Sequence, residues 1–452
     1  MSFHATLDQL IAIIGAAPQN LPNLDAKGIT TDTRSIQPGE VFLALRGERF
    51  DGHDFVRSAI EQGAIAAIVD SQFEAGDLPV LIVPDTLKAY QSIGHWWRKQ
   101  FNIPIIAITG SVGKTTTKEL IAAVLSKYGK VHKTQANYNN EIGVPKTLLE
   151  LDSDHDFAVI EMGMRALGEI ALLSQIASPD LSVITNVGTA HIGRLGSREA
   201  IAQAKCELLA EMPKESIAIL NHDNPLLLET AKTVWQGKSI TYGLQGGDLQ
   251  GELIDTETLK VGAEQFPLPL LGEHNALNFL AALAVIQELN LDASKLTSGI
   301  EVELPGGRAR RYELSNNVVI LDESYNAGLE SMLASLKLLS QTEGDSSAAH
   351  GVRRIAVLGT MKELGDWSIQ YHRQVGEQVK ELNLDRLLIL ADPDEADAMA
   401  IAASPIPTET FTTHTEVIDR LNHLIQPGDR LLFKASRAVG LDRVVTALLP
   451  SK

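Results

Sequence analysis

The sequence predicts an α/β protein of three domains: a small α/β domain, a central doubly wound parallel-sheet domain and a C-terminal Rossmann-like domain. Short continuous apolar runs alternate with helical patterns, as parallel strands covered on both faces require. A Gly-Lys-Thr turn joins one such run to a helix, the placement of a phosphate loop. The 452 residues make about three units at roughly 150 residues each. The expected boundaries are 1–101, 102–307 and 308–452.

In the first unit, Val41-Phe42-Leu43-Ala44-Leu45, Ala66–Val69 and Val80–Val83 read as strands between turn residues. Asp85–Gln100, with Trp96 and Trp97, reads as a helix leading out of it. At Pro104 the texture changes, and Ile105–Ile108 opens a second set of strands, followed by Phe157–Ile160, Leu181–Thr185 and Ile217–Leu220. Asn275–Leu289 closes this unit as a long apolar-rich helix. The third set is Val318–Leu321, Ile355–Leu358, Leu387–Leu390 and Leu431–Phe433, with an exposed loop expected at Gln341–Gly351.

Hydrophobic residues make up 44% and charged residues 21%, which excludes a disordered or collagen-like chain. The 39 Lys and Arg against 57 Asp and Glu leave a net charge of −18, so nonspecific nucleic-acid binding is not expected. One cysteine, Cys206, excludes an intramolecular disulfide and a multi-cysteine metal site. No stretch approaches the roughly 18–20 apolar residues needed to span a bilayer. The short run Leu10–Ile14 follows Asp8 rather than a basic segment and does not read as a signal peptide. A cytoplasmic protein without membrane insertion is the expectation, and nothing demands more than a monomer.

The strongest local signal is Ile105–Thr109 followed by Gly110-Ser111-Val112-Gly113-Lys114-Thr115-Thr116. Glycines let the backbone curl so that several N–H groups face one anion, reinforced by the positive end of the helix behind them. Lys114 can then reach the outer phosphates and the Thr115 hydroxyl can ligate Mg²⁺. The general pattern places a glycine where this chain has Ile108; here the first glycine, Gly110, lies only three before Gly113. The helix carries Leu120, Ile121, Val124, Leu125 and Tyr128 on one face and is expected to end at Gly129. A nucleotide triphosphate site follows.

Glu161 ends the strand Phe157–Ile160 at the sheet's carboxyl edge, where ligands of open α/β sheets bind. By itself it is equally well a plain strand-end acid. Asn186 and His191 arrive at the same edge. A helix capped by Ser197 and running over Arg198–Met212 places Lys205 amid Ile201, Leu208 and Leu209. Such a lysine either snorkels outward, which periodicity alone favours, or is driven toward the neutral amine. A neutral amine can capture CO₂ as a carbamate, a carboxylate-like metal ligand.

In this order these residues resemble the Mur ligase family of peptidoglycan precursor synthesis, over essentially the whole chain. The resemblance implies that Thr109, Gly110, Ser111, Val112, Gly113, Lys114, Thr115 and Thr116 bind ATP. It implies that Thr115 and Glu161 serve one Mg²⁺, and His191 with carbamylated Lys205 a second. Asn137-Tyr138-Asn139-Asn140 is similar to the family's segment between phosphate loop and substrate. His274, Asn275 and Asn278 match its adenine motif. Arg308 is implied to approach phosphates, and Asp322, within Asp322–Ala327 together with Asn326, the ribose.

Thr31-Asp32-Thr33-Arg34 and Arg46, Gly47, Phe50, Asp51 and His53 resemble the UDP-sugar-binding segment, although Gly and Asp are also ordinary turn residues. Leu358–Gly365 and Lys434, Ser436 and Arg437 are similar to the blocks of members that add a dipeptide. The implied partners are therefore UDP-N-acetylmuramoyl-tripeptide and D-alanyl-D-alanine, with the last three side chains gripping the dipeptide carboxylate. The Asp-Asn-Pro-Arg motif of diaminopimelate-adding relatives is missing; Asp223-Asn224-Pro225 is followed by Leu226. Thr360 stands where an acidic residue is frequent in the family, and Ala435 where glycine is. A folylpolyglutamate-type ligase and a nucleotide-binding scaffold without turnover are the rival readings.

Overall fold

The computed structural model describes residues 2–48, 50–342 and 352–450. Arg49 and nearly all of the loop expected at Gln341–Gly351 lie outside the described residues.

Three separate parallel-rich sheets form, as the alternation of apolar runs predicts. The N-terminal sheet orders Ala17–Gln19, Val80–Val83, Ala66–Asp70, Val41–Leu43 and Ile29–Thr30 side by side, antiparallel only at the first pair. The helix Thr86–Arg98, capped by Asp85, then crosses to the central unit. Trp97 donates from its indole to the Leu151 carbonyl at 3.1 Å, and Arg98 reaches the carbonyls of Ala177 and Ser178 at 3.0 and 3.1 Å. The linking helix is therefore a packed element of both units.

The central sheet has nine strands, with Ile105–Thr109 between Leu181–Ile184 and Phe157–Glu161. Seven run parallel from Val131–Lys133 to Leu249–Leu253, and the antiparallel hairpin Thr258–Val261 and Glu264–Pro267 extends the far edge. That edge is not evident in the sequence, because runs such as Leu249–Leu253 and Glu264–Pro267 alternate with polar residues and stay partly exposed. The phosphate-loop helix also differs from expectation. It ends at Leu125, not Gly129, which accepts no left-handed cap role; a Cβ there would stand 2.4 Å from the Asp156 carboxylate. Gly129 is a close-approach glycine.

The C-terminal sheet orders Arg310–Glu313, Val319–Asp322, Arg430–Lys434, Arg354–Gly359, Arg386–Leu390 and Thr408–Phe411, with only the first strand antiparallel. Among the described residues, no helix is long and apolar enough to cross a membrane.

Candidate active site between two sheet edges

The carboxyl edges of the central and C-terminal sheets face a shared cavity of about 760 Å³. The phosphate loop forms its floor. Gly113 lies at φ +83°, where L side chains are strained, and a Cβ there would meet Asn278 Oδ1 at 2.7 Å. A Cβ on Gly110 would meet Thr185 Oγ1 at 1.9 Å. Both glycines retained by the shortened spacing are thus required by the geometry. The first N–H groups of the helix Lys114–Leu125 have no intrahelical acceptors and point at the cavity end, which makes an anion cradle. Thr109 is turned inward, donating to the Met162 carbonyl at 2.9 Å, whereas Ser111, Val112, Thr115 and Thr116 line the cavity.

Lys114 is folded onto its own loop, donating to the Gly110 carbonyl at 2.8 Å. Burial pushes its pKa below the ordinary lysine value, opposed by the nearby Glu161. A dry cation held by carbonyl dipoles lacks a full counter-charge, which a phosphate would supply.

The Glu161 N–H donates to Thr134 Oγ1 at 2.9 Å, and its Oε1 accepts from Asn139 Nδ2 at 2.9 Å. Its Oε2 is buried without a hydrogen-bond partner, 3.9 Å from Lys118 Nζ. Asn137 and Asn139 line the cavity. Asn140 does not; its side chain accepts from the Gly143 N–H at 2.9 Å and turns the chain locally.

His191 lies in the left-handed region (φ 68°) and its Nδ1 sits 2.7 Å from Glu363 Oε2, a carboxylate of the C-terminal unit. The Ser197 cap forms as expected, its Oγ accepting from the Ala200 N–H at 3.1 Å. Lys205 does not snorkel. It is 1% exposed, and burial, with the Lys114 charge adding to it, holds its pKa well below that of an ordinary lysine. Ile201, Ala204, Leu208 and Leu209 of the same helix are buried with it, so its stem lies on the packed face of the helix Arg198–Glu211.

The helix Glu273–Glu288 contributes His274, Asn275 and Asn278 to the wall. Asn278 Oδ1 accepts from Thr117 Oγ1 at 3.1 Å, which locks this helix against the phosphate-loop helix. Burial lowers the His274 pKa. From the C-terminal unit, the Arg308 guanidinium stacks 3.9 Å above the Tyr325 ring, and its buried Nε is unpartnered. Asn326 also lines the cavity. Asp322 does not: Ser324 Oγ donates to it at 2.5 Å, and burial raises its pKa.

Lys434, Ser436 and Arg437 line the cavity, but each already has protein partners. Lys434 donates to the Asn326 carbonyl at 3.2 Å and to Glu323 at 3.4 Å; Ser436 accepts from the Lys362 N–H at 2.9 Å; Arg437 pairs with Asp442 at 3.0 Å. Thr360 is a structural hydroxyl here, accepting from the Asp392 N–H at 2.9 Å. Ala435 is fully buried.

The N-terminal candidates do not line this cavity. Arg34 forms a two-toothed pair with Asp32 (2.9 and 2.6 Å), which holds the Asp32 pKa down at about 2. Arg46 pairs with Asp70 at 2.7 Å and with Asp51, while His53 contacts Asp51 at 2.6 Å and accepts the Asp70 N–H at 3.0 Å. Thr31 and Thr33 flank the Asp32 turn, and Gly47 lies beneath the exposed Phe50 ring.

Two acids that contact the site are given no individual role by the sequence: Glu330, in the first turn of the helix Leu329–Gln341, and Glu363, in the turn after Arg354–Gly359 and within the block Leu358–Gly365. Each looks like an ordinary surface acid in sequence, and only the juxtaposition of sheets gives it a partner.

Family models match three stretches: "Mur ligase family, catalytic domain" over residues 25–92, "Mur ligase middle domain" over 108–286, and "Mur ligase, glutamate ligase domain" over 307–437. A Synechocystis protein named UDP-N-acetylmuramoyl-tripeptide–D-alanyl-D-alanine ligase is 59% identical over 93% of this chain and 91% of its own. One of the same name from Escherichia coli is 36% identical over 98% of each chain. Among solved structures, MurF from Acinetobacter baumannii aligns over 99% of both chains at 32% identity with a TM-score of 0.89. MurF ligase from Thermotoga maritima in complex with ADP aligns over 93% of this chain and 96% of its own at 28% identity, with a TM-score of 0.81. Full-length similarity at this level, over a phosphate loop and cavity of this construction, places the chain in the Mur ligase family.

Proposed function

We propose that this chain is an ATP-dependent ligase that joins D-alanyl-D-alanine to UDP-N-acetylmuramoyl-tripeptide in peptidoglycan precursor synthesis, releasing ADP and phosphate. The observation that carries the proposal is the convergence on one cavity of the phosphate loop, the half-free Glu161 carboxylate and the C-terminal cations Arg308 and Lys434. Full-length similarity to relatives named for this reaction supports the choice of substrates.

A carboxylate is a poor acyl donor, because its leaving group would be oxide. Transfer of the γ-phosphoryl group to the tripeptide's terminal carboxylate gives an acyl phosphate; the dipeptide amine attacks its carbonyl carbon, and the tetrahedral intermediate collapses to amide and phosphate. Lys114 swings from the Gly110 carbonyl to the phosphates, and the helix amides hold the same charge, so catalysis is positioning plus electrostatics. Arg308, braced on Tyr325, faces the phosphates from the opposite wall. Asn275 and Asn278 would flank the nucleotide and Asn326 would face the ribose, whereas Asp322, outside the cavity lining, would first have to give up its bond from Ser324 to reach it. Lys434, Ser436 and Arg437 receive the dipeptide carboxylate after exchanging their internal partners. We assign residues 1–101 to the UDP-sugar, 102–307 to ATP and 308–452 to the acceptor and closure.

The residues fit Mg²⁺. Glu161 Oε2 is buried and unpartnered, and Thr115 lies in the first turn of the adjoining helix. Among the described residues no three His, Cys, Asp or Glu side chains cluster as a self-sufficient metal site, so phosphate oxygens and water would complete the coordination. An ion held there would supply the positive charge that offsets the repulsion between phosphate and carboxylate. Thr115 and Glu161 would hold one ion, His191 and Lys205 a second. The desolvated Lys205 amine would add CO₂, forming an N–C bond and releasing one proton, and so present a carboxylate. A cytoplasmic location fits the use of ATP and a nucleotide sugar.

The test is ADP formation from UDP-N-acetylmuramoyl-tripeptide and ATP, with and without D-alanyl-D-alanine. Release dependent on both substrates is expected; release with a folate and glutamate instead, or none with any acceptor, would overturn the assignment.

A further inference from the structure

The strip Val187–Arg194 lies between the phosphate loop and the C-terminal unit. On its inner side, the Gly188 N–H donates to Ser111 Oγ at 2.8 Å, the Ser111 N–H to the Asn186 carbonyl at 3.0 Å, and the Val112 N–H to Asn186 Oδ1 at 3.0 Å. On its outer side, Glu330 Oε1 accepts from the Thr189 N–H at 2.7 Å and Oε2 from Thr189 Oγ1 at 3.1 Å. Gly188 is what lets the carboxylate come this close, because a Cβ there would stand 2.6 Å from Glu330 Oε1. Two turns further along Leu329–Gln341 the helix is tied separately, where Lys337 pairs with Glu273 of the central unit.

We propose that Glu330 is a positioning residue that couples the seating of the C-terminal unit to the shape of the phosphate loop, by gripping Thr189 over Gly188. It rests on the reading of this cavity as the ATP site. The physical reason is the continuity of the contact. A carboxylate accepting two bonds from one residue fixes both direction and distance, and charge-assisted bonds of this kind are about twice as strong as neutral ones. Gly188, the residue before Thr189, donates its N–H to Ser111 Oγ, so a shift of the C-terminal unit is passed through one peptide link to the floor of the site. Arg308, Lys434 and Arg437 ride on the unit that Glu330 anchors, so losing the grip misplaces the cations of the upper wall. A misplacement of about 1 Å at a reacting centre is enough to cost on the order of 10²-fold in rate.

The test is a double-mutant cycle of Glu330→Ala and Gly188→Ala in the full-length chain. Gly188→Ala leaves Glu330 in place but pushes its flexible carboxylate off Thr189, with no other main-chain demand. Each single variant is expected to lower kcat about 10- to 100-fold while changing the KM for ATP much less, and to enlarge the radius of gyration measured by X-ray scattering with a non-hydrolysable ATP analogue bound. The double variant is expected to match Glu330→Ala alone, because the added methyl then has nothing to displace. Multiplicative losses in the double variant, or wild-type kcat and scattering in Glu330→Ala, would overturn the proposal. Wild-type enzyme that neither binds the ATP analogue nor releases ADP would instead overturn the reading of the site, and analogue binding to each variant distinguishes the two failures. A Glu330→Gln variant guards against a folding defect: it keeps an acceptor for the Thr189 N–H and is expected to recover part of kcat.

Discussion

The cavity and the N-terminal polar cluster are both built from charged side chains on loops at strand ends, yet their electrostatics are opposite. In the N-terminal cluster every named charge has a protein partner: Asp32 with Arg34, Arg46 with Asp51 and Asp70, His53 with Asp51. In the cavity, buried atoms are left over, namely Glu161 Oε2 and Arg308 Nε, and Lys114 is turned back onto carbonyls. Unpaired buried polar atoms cost roughly 1–3 kcal/mol each, so they persist where a ligand restores the missing partner. The comparison teaches that the phosphate-loop side of the cavity is poised for charge to arrive, whereas the N-terminal cluster, like Lys434 and Arg437 on the opposite wall, must open pairs before it binds anything.

The most severe way to break this contrast is Lys114→Ala, expected to reduce ADP release by about 10³-fold or more with an unchanged circular dichroism spectrum; near-normal turnover would remove the phosphate loop from the reaction. Next is Lys205→Ala, expected to be nearly inactive and partly restored by acetate, which can occupy the carboxylate position. A mass measurement on active enzyme that found only the free amine would remove the carbamate.

On the other side of the comparison, His53→Ala removes the acceptor of the Asp70 N–H and the partner of Asp51. It is expected to cost about 1–3 kcal/mol of stability, seen as a lower Tm, and to raise the KM for the UDP-sugar substrate while kcat stays within about threefold. The smallest effect concerns Arg34→Ala. The Asp32 carboxyl is depressed from 3.8 to about 2 by Arg34, so its contribution to stability is complete above the unfolded value and is lost as pH falls through about 2. The Tm difference between wild type and Arg34→Ala is therefore expected to be small and constant near neutrality, and to vanish between pH 4 and pH 2. A difference that grows in acid would contradict the pairing.

Much of this architecture is legible in the sequence because buried parallel strands are apolar without interruption. Ile105–Ile108, Leu387–Leu390 and Leu431–Phe433 all form strands where the runs predict them. The Ser197 cap was equally readable, since its side chain has one stereotyped use. What escaped has a physical pattern too. The hairpin Thr258–Pro267 lies at a half-exposed edge, where packing rather than composition decides the strand. Helical periodicity leaned toward an outward Lys205, because it counts neighbours along one helix and not the layer packed above it. The loop residues Ser111, Gly113 and Lys114 came from local chemistry, whereas Glu330 and Glu363 depend on how two sheets face each other, which no window of sequence records. Asp322 and Asn140 show the reverse limit: their motifs match, yet Ser324 and Gly143 occupy their oxygens here.

The Asn139 amide has one further consequence. By tethering a single oxygen of Glu161, it removes the spinning that a free carboxylate enjoys and leaves the other lone pairs aimed in a settled direction. An arriving cation therefore need not freeze that group itself, and Asn139→Ala would weaken its capture through disorder in the empty protein rather than through any lost bond to the ion.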